Sequence, residues 1–233
     1  MTRQGLHWQC VGRFDRVSAN SVGLTLQRES RQQSAFLIRC GHAPLDYVAV
    51  MELSIKDQLW WGADLCLSTW AGYQSRRGPY GSVDCPSPSD GSVRFIFAPE
   101  GRDLAPLNEQ EVALTLWFEL NEPAVSKAVK EAVIDWCSPN NTVRNKGFDF
   151  GEEFPSIASE NELRQFAGLH TVYMHQIISS GVPYLGYEFG CQWEEEHGLG
   201  VLMHGGRCVE VGFADTAMLL WIAKKHEMEH GRS

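Results

Sequence analysis

The most constraining feature of the sequence is an apolar stripe at helical spacing that follows Pro123. Apolar residues recur every three or four positions, which is the period of one helix face. Asn121 is suited to cap this helix, and Pro123 then falls in the first turn, where its missing N–H costs nothing. Lys127, Lys130, Glu131 and Asp135 fall between the apolar positions and are expected to face water. The stripe consists of Ala124, Val125, Ala128, Val129, Ala132, Val133, Trp136 and Cys137.

A second helical pattern lies immediately before this one. Asn108 is a good N-cap, and Glu111 stands three positions later, where a capping-box acid reaches back to the cap. Apolar residues follow at helical spacing, namely Val112, Ala113, Leu116, Trp117 and Leu120. The two patterns together predict a helical hairpin whose second helix restarts at Asn121.

The first hundred residues carry short apolar or alternating runs, which are typical of strands. In the run 92–99, Val93, Phe95 and Phe97 alternate with Arg94 and Ile96, as in a half-buried strand. The preceding stretch, 73–92, is dense in Gly, Pro and Ser and is predicted to be a loop.

The last third of the sequence predicts a short helix near 160–168, followed by strands. A hairpin is expected across Gly205-Gly206, with His204 opposite Arg207. Asp215 is expected to cap a last helix. The whole pattern predicts an α+β fold with mainly antiparallel sheets, a central helical hairpin and a C-terminal helix. We expect one domain, 1–233, made of a β-rich part (1–100) and a second part (107–233).

The composition excludes several classes of function. A formal net charge of −9 does not suit a nucleic-acid binder, because such proteins neutralise phosphates with basic residues. No apolar run approaches the roughly 20 residues that a membrane helix needs. The N-terminus does not read as a signal peptide, and the seven cysteines form no CxxC pair, so we expect a cytoplasmic protein with reduced thiols. Neither nucleotide-binding nor acyl-transfer motifs are present, and no cofactor is expected.

The clearest candidate site is the sequence from Trp193 to His197, in which Glu194, Glu195 and Glu196 precede the histidine. In an extended strand, Trp193, Glu195 and His197 would share one face, and Glu194 and Glu196 the other. Two interpretations follow. The first is a structural Glu–His pair, with Gly198 and Gly200 permitting a bulge or a close backbone approach. The second is an exposed patch that binds a partner.

Two chemical alternatives remain open for the same sequence. Glu195, His197 and His204 are possible zinc ligands, although the spacing of known zinc motifs is absent. Glu195 and His197 are also possible general acid–base residues. Elsewhere, His170 and His175 are five positions apart on a predicted strand and are expected to face opposite sides of the sheet.

Three stretches together resemble an uncharacterised bacterial domain family. The most specific is FGCQWEEEHGLGVLMHGGRCVEVGFADTA (189–217), in which Trp193, Glu196, His197 and Gly198 match the family's C-terminal signature. STWAGYQSRRGPYGS (68–82) and LNEQEVALTLWFELNEPAVSKAVKEAV (107–133) are similar to its other recurring pieces. The resemblance implies a bacterial, cytoplasmic protein and no catalytic role, and small domains of this kind often accompany secreted polymorphic toxins.

These observations lead to one functional expectation and two alternatives. We expect a protein-binding protein, most concretely an immunity-type inhibitor that docks on a cognate toxin. Its acidic surface suits a basic partner, and its candidate contacts are Trp193, Glu194, Glu195, Glu196 and His197. The alternatives are a metal-dependent hydrolase that uses the Glu-Glu-His cluster at 195–197, and a structural or assembly module.

Overall fold

The computed structural model describes residues 26–28, 36–38, 51–138, 141 and 154–230. The chain divides into two compact units, Met1–Ala49 and Val50–Ser233. In the first unit, strand β1 (Leu26–Arg28) pairs antiparallel with β2 (Phe36–Ile38). All further elements belong to the second unit.

The second unit contains nine further strands and three α-helices within the described residues. The strands are β3 (Ser54–Lys56), β4 (Trp60–Cys66), β5 (Ser75–Arg77), β6 (Val83–Cys85), β7 (Ser92–Phe97), β8 (Ala167–Ser179), β9 (Val182–Cys191), β10 (Glu194–His204) and β11 (Arg207–Gly212). The helices are α1 (Glu109–Cys137), α2 (Glu160–Phe166) and α3 (Leu220–His230). Short 3-10 turns cover Ser68–Trp70, Pro79–Gly81 and Ala214–Ala217.

Seven strands form one sheet in the order β11-β10-β9-β8-β7-β4-β3. All neighbours are antiparallel except β7 and β8, which are parallel and are joined through α1. A parallel pair needs such a crossover, because a tight turn can join only antiparallel strands. The predicted α+β class is confirmed, as is the pairing of His204 with Arg207 across the Gly205-Gly206 turn. The predicted loop 73–92 also contains the small antiparallel pair β5–β6.

The predicted helical hairpin is instead a single helix of 29 residues, with Pro123 inside it. The capping box at Asn108 and Glu111 is present as expected, but Asn121 does not start a new helix, and its side chain donates to Trp117 O. One buried stripe runs through the whole helix. It comprises Leu114, Phe118, Glu122, Val125, Ser126, Val129, Val133 and Trp136.

The prediction failed because two members of that stripe are polar. Glu122 accepts hydrogen bonds from Ser126 Oγ and from Thr69 Oγ1, both at 2.6 Å, so its burial is compensated. In the first half of α1, Leu120 is therefore exposed rather than buried as expected, and Phe118 takes the core position. Packing of both halves on the same sheet outweighs the backbone hydrogen bond that is lost at Pro123.

Lys130, which was expected to face water, is also buried. Its ammonium donates to Thr69 O and to Glu160, and it lies 5.1 Å from the centre of the Trp70 ring. Arg164 and Lys130 lower the pKa of Glu160 to about 2, because both stabilise its ionised form through hydrogen bonds. These contacts attach α1 to the segment before β5 and to α2.

The sheet is covered on both faces. On one face, α1 packs against the core around Phe95, Val172, Tyr187 and Val201. The opposite face, called here the second face, is covered by residues 213–218 and by α3, through Tyr184, Leu202, Ile222 and Ala223 among others. Burial on both sides explains why β8 and β9 are almost continuously buried.

The last helix begins at Leu220, later than the predicted cap at Asp215. Residues 214–217 form a 3-10 turn instead, and the Leu220 N–H donates to the Glu100 carboxylate at 2.7 Å. A carboxylate at this position satisfies one of the free N–H groups at the start of the helix. Among the described helices, none has both the length and the apolar character required to cross a membrane.

Candidate functional site

The predicted site lies at the turn between β9 and β10 and at the start of β10. The simple alternation expected there is wrong, because the pairing of β10 with β9 is irregular between Glu194 and Leu199. Gly198 has a positive φ of 60°, and a side chain on it would meet Phe189 O at 2.6 Å. The predicted bulge and close approach at Gly198 are therefore present.

This irregularity pairs His197 with Glu194 rather than with Glu195. His197 Nδ1 lies 2.9 Å from Glu194 Oε1, and the His197 backbone N–H donates to the same oxygen. The His197 side chain is 59% exposed and that of Glu194 is 19% exposed. Glu195 and Glu196 are exposed. The pair orders the strand start and leaves two carboxylates and the imidazole open to solvent.

Trp193 differs from its neighbours, because it packs into the protein. Its ring centre lies 5.6 Å from that of Phe154, and it borders the main core. Phe213, which is 37% exposed, lies beside His197 with ring centres 5.1 Å apart. The surface formed by Glu195, Glu196, His197 and Phe213 is called here the tip surface.

The possible zinc ligands are not brought together. Glu195 and His197 lie near the start of β10, whereas His204 ends it, seven residues and about 20 Å further along the strand. The His204 ring stacks on Tyr184, and its Nε2 donates to Ser179 O at 2.9 Å. Across the part of the chain that the structure describes, no group of three or more His, Cys, Asp or Glu residues is arranged to hold a metal ion.

A second polar cluster, formed by His170, Tyr173 and Glu188, lies on the second face of the sheet. Glu188 on β9 is only 4% exposed. One carboxylate oxygen accepts the Tyr173 hydroxyl, and the other lies 3.1 Å from His170 Nδ1. Burial, followed by the charge of Glu188, raises the pKa of Tyr173 well above its usual value, so this hydroxyl keeps its proton and acts as a donor.

A bulge explains how His170 reaches this cluster. Leu169 pairs with Phe189 and Thr171 with Glu188, so His170 is the extra residue between two adjacent pairs of the ladder. His170 and His175 consequently lie on the same face of the sheet, and the expected opposite orientation is wrong. No feature of the sequence marks the bulge, although a glutamate within the apolar run of β9 is a signal that was available.

The geometry of this cluster permits proton transfer. If His170 Nδ1 donates to Glu188, then Nε2 carries the lone pair, and the side chain is 22% exposed. A histidine oriented in this way by a carboxylate is the usual form of a general base. The described hydrogen bonds of this ring, to Glu188 and with Thr171 Oγ1 at 3.0 Å, are both at Nδ1.

Glycines let two backbone segments lie directly on the second face, on either side of Glu188. A side chain on Gly186 would meet Ala217 O at 1.8 Å, and one on Gly190 would meet Gly81 O at 2.1 Å. The first contact belongs to the turn before α3 and the second to the turn between β5 and β6. These segments enclose the carboxylate and leave His170 as its most exposed partner.

The C-terminal region of the second face carries four histidines, His175, His204, His226 and His230, together with acids that include Glu100 and Glu229. His175 is fully buried, and its Nε2 donates to Ala217 O at 3.0 Å. Burial lowers the pKa of His175. The pKa of His226 is lowered by burial and then by the nearby His230, His204 and Arg207. Glu100 accepts a hydrogen bond from the first N–H of α3, and the charge of Glu229 partly opposes the lowering of the His226 pKa.

We expect acidification to destabilise the protein through His175. Because its pKa is lower in the folded than in the unfolded chain, its stabilising contribution is complete above pH 6.5 and is lost as the pH falls through the unfolded value. If a histidine stays neutral in the folded chain and becomes protonated in the unfolded chain, the free energy of unfolding falls by about 1 kcal/mol between neutral pH and pH 5.5. Urea unfolding at pH 7.5 and 5.5 measures this loss.

The matched variants are His175→Gln and His197→Gln. The buried change is expected to lower stability at pH 7.5 and to reduce the difference between the two pH values, because one neutral buried histidine is removed. The change at exposed His197 is expected to leave both midpoints unaltered. An equal pH dependence in wild type and His175→Gln would contradict this assignment.

The comparisons with known proteins agree with a domain that has not been characterised. No curated protein matches the chain. No solved structure matches it. Residues 74–219 match the family described as Domain of unknown function (DUF6985). The match covers more than half of the chain and includes both the tip surface and the Glu188 cluster. The chain therefore belongs to that family.

Proposed function

We propose that this chain is a bacterial, cytoplasmic protein-binding protein, and most concretely an immunity-type inhibitor that neutralises a cognate toxin by docking on it. The observation that carries the proposal is the tip surface, where two exposed carboxylates and an imidazole lie beside a partly exposed aromatic ring. A formal net charge of −9 supports a basic partner, since the field of the protein would attract it and orient it on approach.

The chemistry of the tip surface supports recognition. Aromatic rings supply a large contact area at interfaces, and Phe213 lies beside His197 in this position. The carboxylates of Glu195 and Glu196 are solvated, so they are expected to contribute to the association rate more than to the lifetime of the complex. Glu194 and Trp193 support this surface from below, because the first holds His197 and the second packs against Phe154.

The metal-dependent hydrolase remains an alternative, but the geometry favours it less. It would have to rely on residues 195–197 without His204, which lies at the other end of β10.

An enzyme of another kind would use His170, because Glu188 orients its ring. Nuclear magnetic resonance of ¹⁵N-labelled histidine tests that alternative, which requires the proton of neutral His170 on Nδ1. A structural or assembly module is the third possibility, and it would form a stable homo-oligomer without a foreign partner.

The proposal is tested by co-expression with the product of the adjacent gene. We expect a stable complex and rescue of the host from the toxicity of that product. The double variant Glu195→Lys/Glu196→Lys is expected to slow association by about tenfold at low salt, because it reverses two exposed charges of the docking surface. The matched control is Glu52→Lys/Glu229→Lys, which reverses two exposed acids elsewhere and so changes the net charge by the same amount.

The variant His197→Ala separates a binding role from a structural one. The His197–Glu194 pair lies at the surface and contributes little to stability. The free energy of unfolding of the variant is therefore expected to stay within about 0.5 kcal/mol of the wild-type value. Partner affinity, measured by isothermal titration calorimetry, is expected to fall. A destabilised variant with unchanged affinity would assign His197 a structural role. Absence of both complex and rescue for the wild-type chain would count against the proposed function.

A further inference from the structure

Three histidine rings lie side by side where α3 ends on the second face of the sheet. His226 and His230 are both on α3, with ring centres 4.4 Å apart and ring planes inclined by 18°. The ring of His204, at the end of β10, has its centre 5.7 Å from that of His226. Residues four positions apart lie on the same side of a helix. His226 and His230 therefore form a pair of imidazoles on one side of the last turns of α3.

Each imidazole of this pair has one nitrogen in a hydrogen bond. His226 Nδ1 lies 2.8 Å from the Tyr184 hydroxyl oxygen, and His230 Nδ1 donates to His226 O at 3.1 Å. The described hydrogen bonds of both rings are all at Nδ1. If each Nδ1 carries the proton, then both Nε2 atoms carry a lone pair. Metal-binding histidines usually have this arrangement, in which the second nitrogen donates its proton to an acceptor of the protein.

His204 is held differently from the pair. Its ring stacks on Tyr184 with centres 4.6 Å apart, and its Nε2 donates to Ser179 O. Among the described residues, no group of three or more His, Cys, Asp or Glu is arranged to hold a metal ion, so a site here depends on two imidazoles. Water can complete the coordination shell of an ion that protein ligands bind only in part.

The charges around the pair also suit a cation. Imidazole binds a metal ion only in its neutral form. Burial, followed by the charges of the two neighbouring histidines and Arg207, lowers the pKa of His226, which keeps this ring neutral at pH 7.5. Arg207 opposes the approach of a cation, but Glu227 and Glu229 on the same helix act within electrostatic range of Tyr184 and His226, respectively, and favour it. The net charge of −9 adds to this attraction.

We propose that His226 and His230 bind a divalent transition-metal ion of the class of Zn²⁺, Ni²⁺ and Cu²⁺ through their Nε2 atoms. Imidazole nitrogen is a preferred ligand of these ions. Tyr184 is a positioning residue of the site, because its hydroxyl oxygen accepts the proton of His226 Nδ1 and so directs Nε2 to the ion. The ion holds the last turn of α3 together. Docking on a partner does not require this site, so the inference is independent of the proposed function.

The test uses the full chain without a histidine tag, with Zn²⁺ as the probe and nuclear magnetic resonance of ¹⁵N-labelled histidine side chains at pH 7.5 as the readout. Thiolates also bind zinc, so the imidazole resonances, and not the total zinc content, report on this site. Zinc is expected to move the Nε2 resonances of His226 and His230 together, at the same zinc concentration.

Single substitutions test whether the two imidazoles act as a chelate. His226→Gln and His230→Gln are each expected to weaken zinc binding at the remaining histidine by at least about tenfold, because linked ligands bind far more tightly than separate ones. The matched control is His197→Gln, which removes an exposed histidine elsewhere and is expected to bind zinc as wild type does. Zinc is expected to raise the melting temperature of wild type and of this control more than that of His230→Gln.

Tyr184→Phe tests the positioning role. The phenylalanine keeps the ring that stacks on His204 and removes the oxygen that contacts His226 Nδ1. The zinc affinity of the folded variant is expected to fall by about tenfold, as for other residues that orient a metal ligand. An unchanged zinc affinity would remove Tyr184 from the site.

Three outcomes would overturn the metal site itself. The first is that the Nε2 resonances of His226 and His230 stay in place at about 1 mM zinc, where even weak binding is visible. The second is that only one of the two resonances moves. The third is that His230→Gln leaves the response of His226 to zinc unchanged. None of these outcomes bears on capture of a partner or on rescue of the host, so the proposed function is tested separately.

Discussion

Replacing Gly186 by alanine is expected to destabilise the protein by more than about 3 kcal/mol, one of the largest effects of any single methyl group in this fold. The added Cβ would lie 1.8 Å from Ala217 O and 2.5 Å from the Ala217 carbonyl carbon. Both atoms belong to the backbone, so no side-chain rotation can relieve the contact. The turn before α3 must move away from the sheet, and the hydrogen bond from His175 Nε2 to Ala217 O is lost with it.

The matched control is Gly206→Ala in the turn between β10 and β11. A Cβ on Gly206 would meet nothing within 4 Å, and Gly206 does not have a positive φ. The free energy of unfolding of this variant is therefore expected to lie within about 1 kcal/mol of the wild-type value. Urea unfolding followed by circular dichroism gives the difference, and limited proteolysis shows whether α3 is released first. Equal midpoints for the two variants would mean that the turn does not press on Gly186.

Replacing Glu188 by leucine is the second substitution with a large expected effect, about 3 kcal/mol. The leucine removes the acceptor of the Tyr173 hydroxyl and of His170 Nδ1 together. Because the Tyr173 hydroxyl is buried, water cannot replace the lost acceptor freely, and the cost is that of an unsatisfied donor rather than of a weakened bond.

Two companion variants identify the cause of this loss. Glu188→Gln keeps an acceptor oxygen, and it is expected to cost about half as much as the leucine variant. Glu188→Leu/Tyr173→Phe removes the orphaned hydroxyl, so it is expected to recover part of the stability lost in the single variant. The measurement is the free energy of unfolding in urea. A double variant that is less stable than Glu188→Leu would show that packing, and not hydrogen bonding, dominates at this position.

The elements that the sequence predicted well are those whose signal is local. The capping box at Asn108 and Glu111 depends on residues three apart, and it marks the start of α1 correctly. The alternation of Val93, Phe95 and Phe97 predicts that they share one side of a strand, and all three lie in the core that α1 covers. The turn at Gly205-Gly206 likewise needs only its two residues and the strands that flank it.

The elements that it predicted wrongly depend on distant partners. Nothing local shows that Glu122 is buried, because its compensating hydrogen bond comes in part from Thr69, 53 positions earlier. The predicted restart rested instead on two local signals, Asn121 as a cap and Pro123 in a first turn. In the same way, Lys130 faces the interior because Thr69 O and Glu160 accept its protons there.

The candidate site divides along the same line. The sequence singled out residues 194–197, and exposure of Glu195, Glu196 and His197 leaves them available for the proposed partner. The sequence pattern suggested Glu195 as the partner of His197. The partner is Glu194, because the β9–β10 pairing is irregular between Glu194 and Leu199. It also overlooked Glu188, whose role depends on a bulge at His170 on the neighbouring strand.

By itself, then, the sequence determined the α+β class, the cap of α1, the turn at Gly205-Gly206 and the acidic net charge. Each of these follows from residues close together in the chain or from a simple sum of charges. Only the tertiary structure decided that α1 is unbroken, that Glu188 contacts both Tyr173 and His170, and that His197 pairs with Glu194. Those features arise from strand register and from burial, which are set by residues far apart in sequence and therefore leave no local pattern.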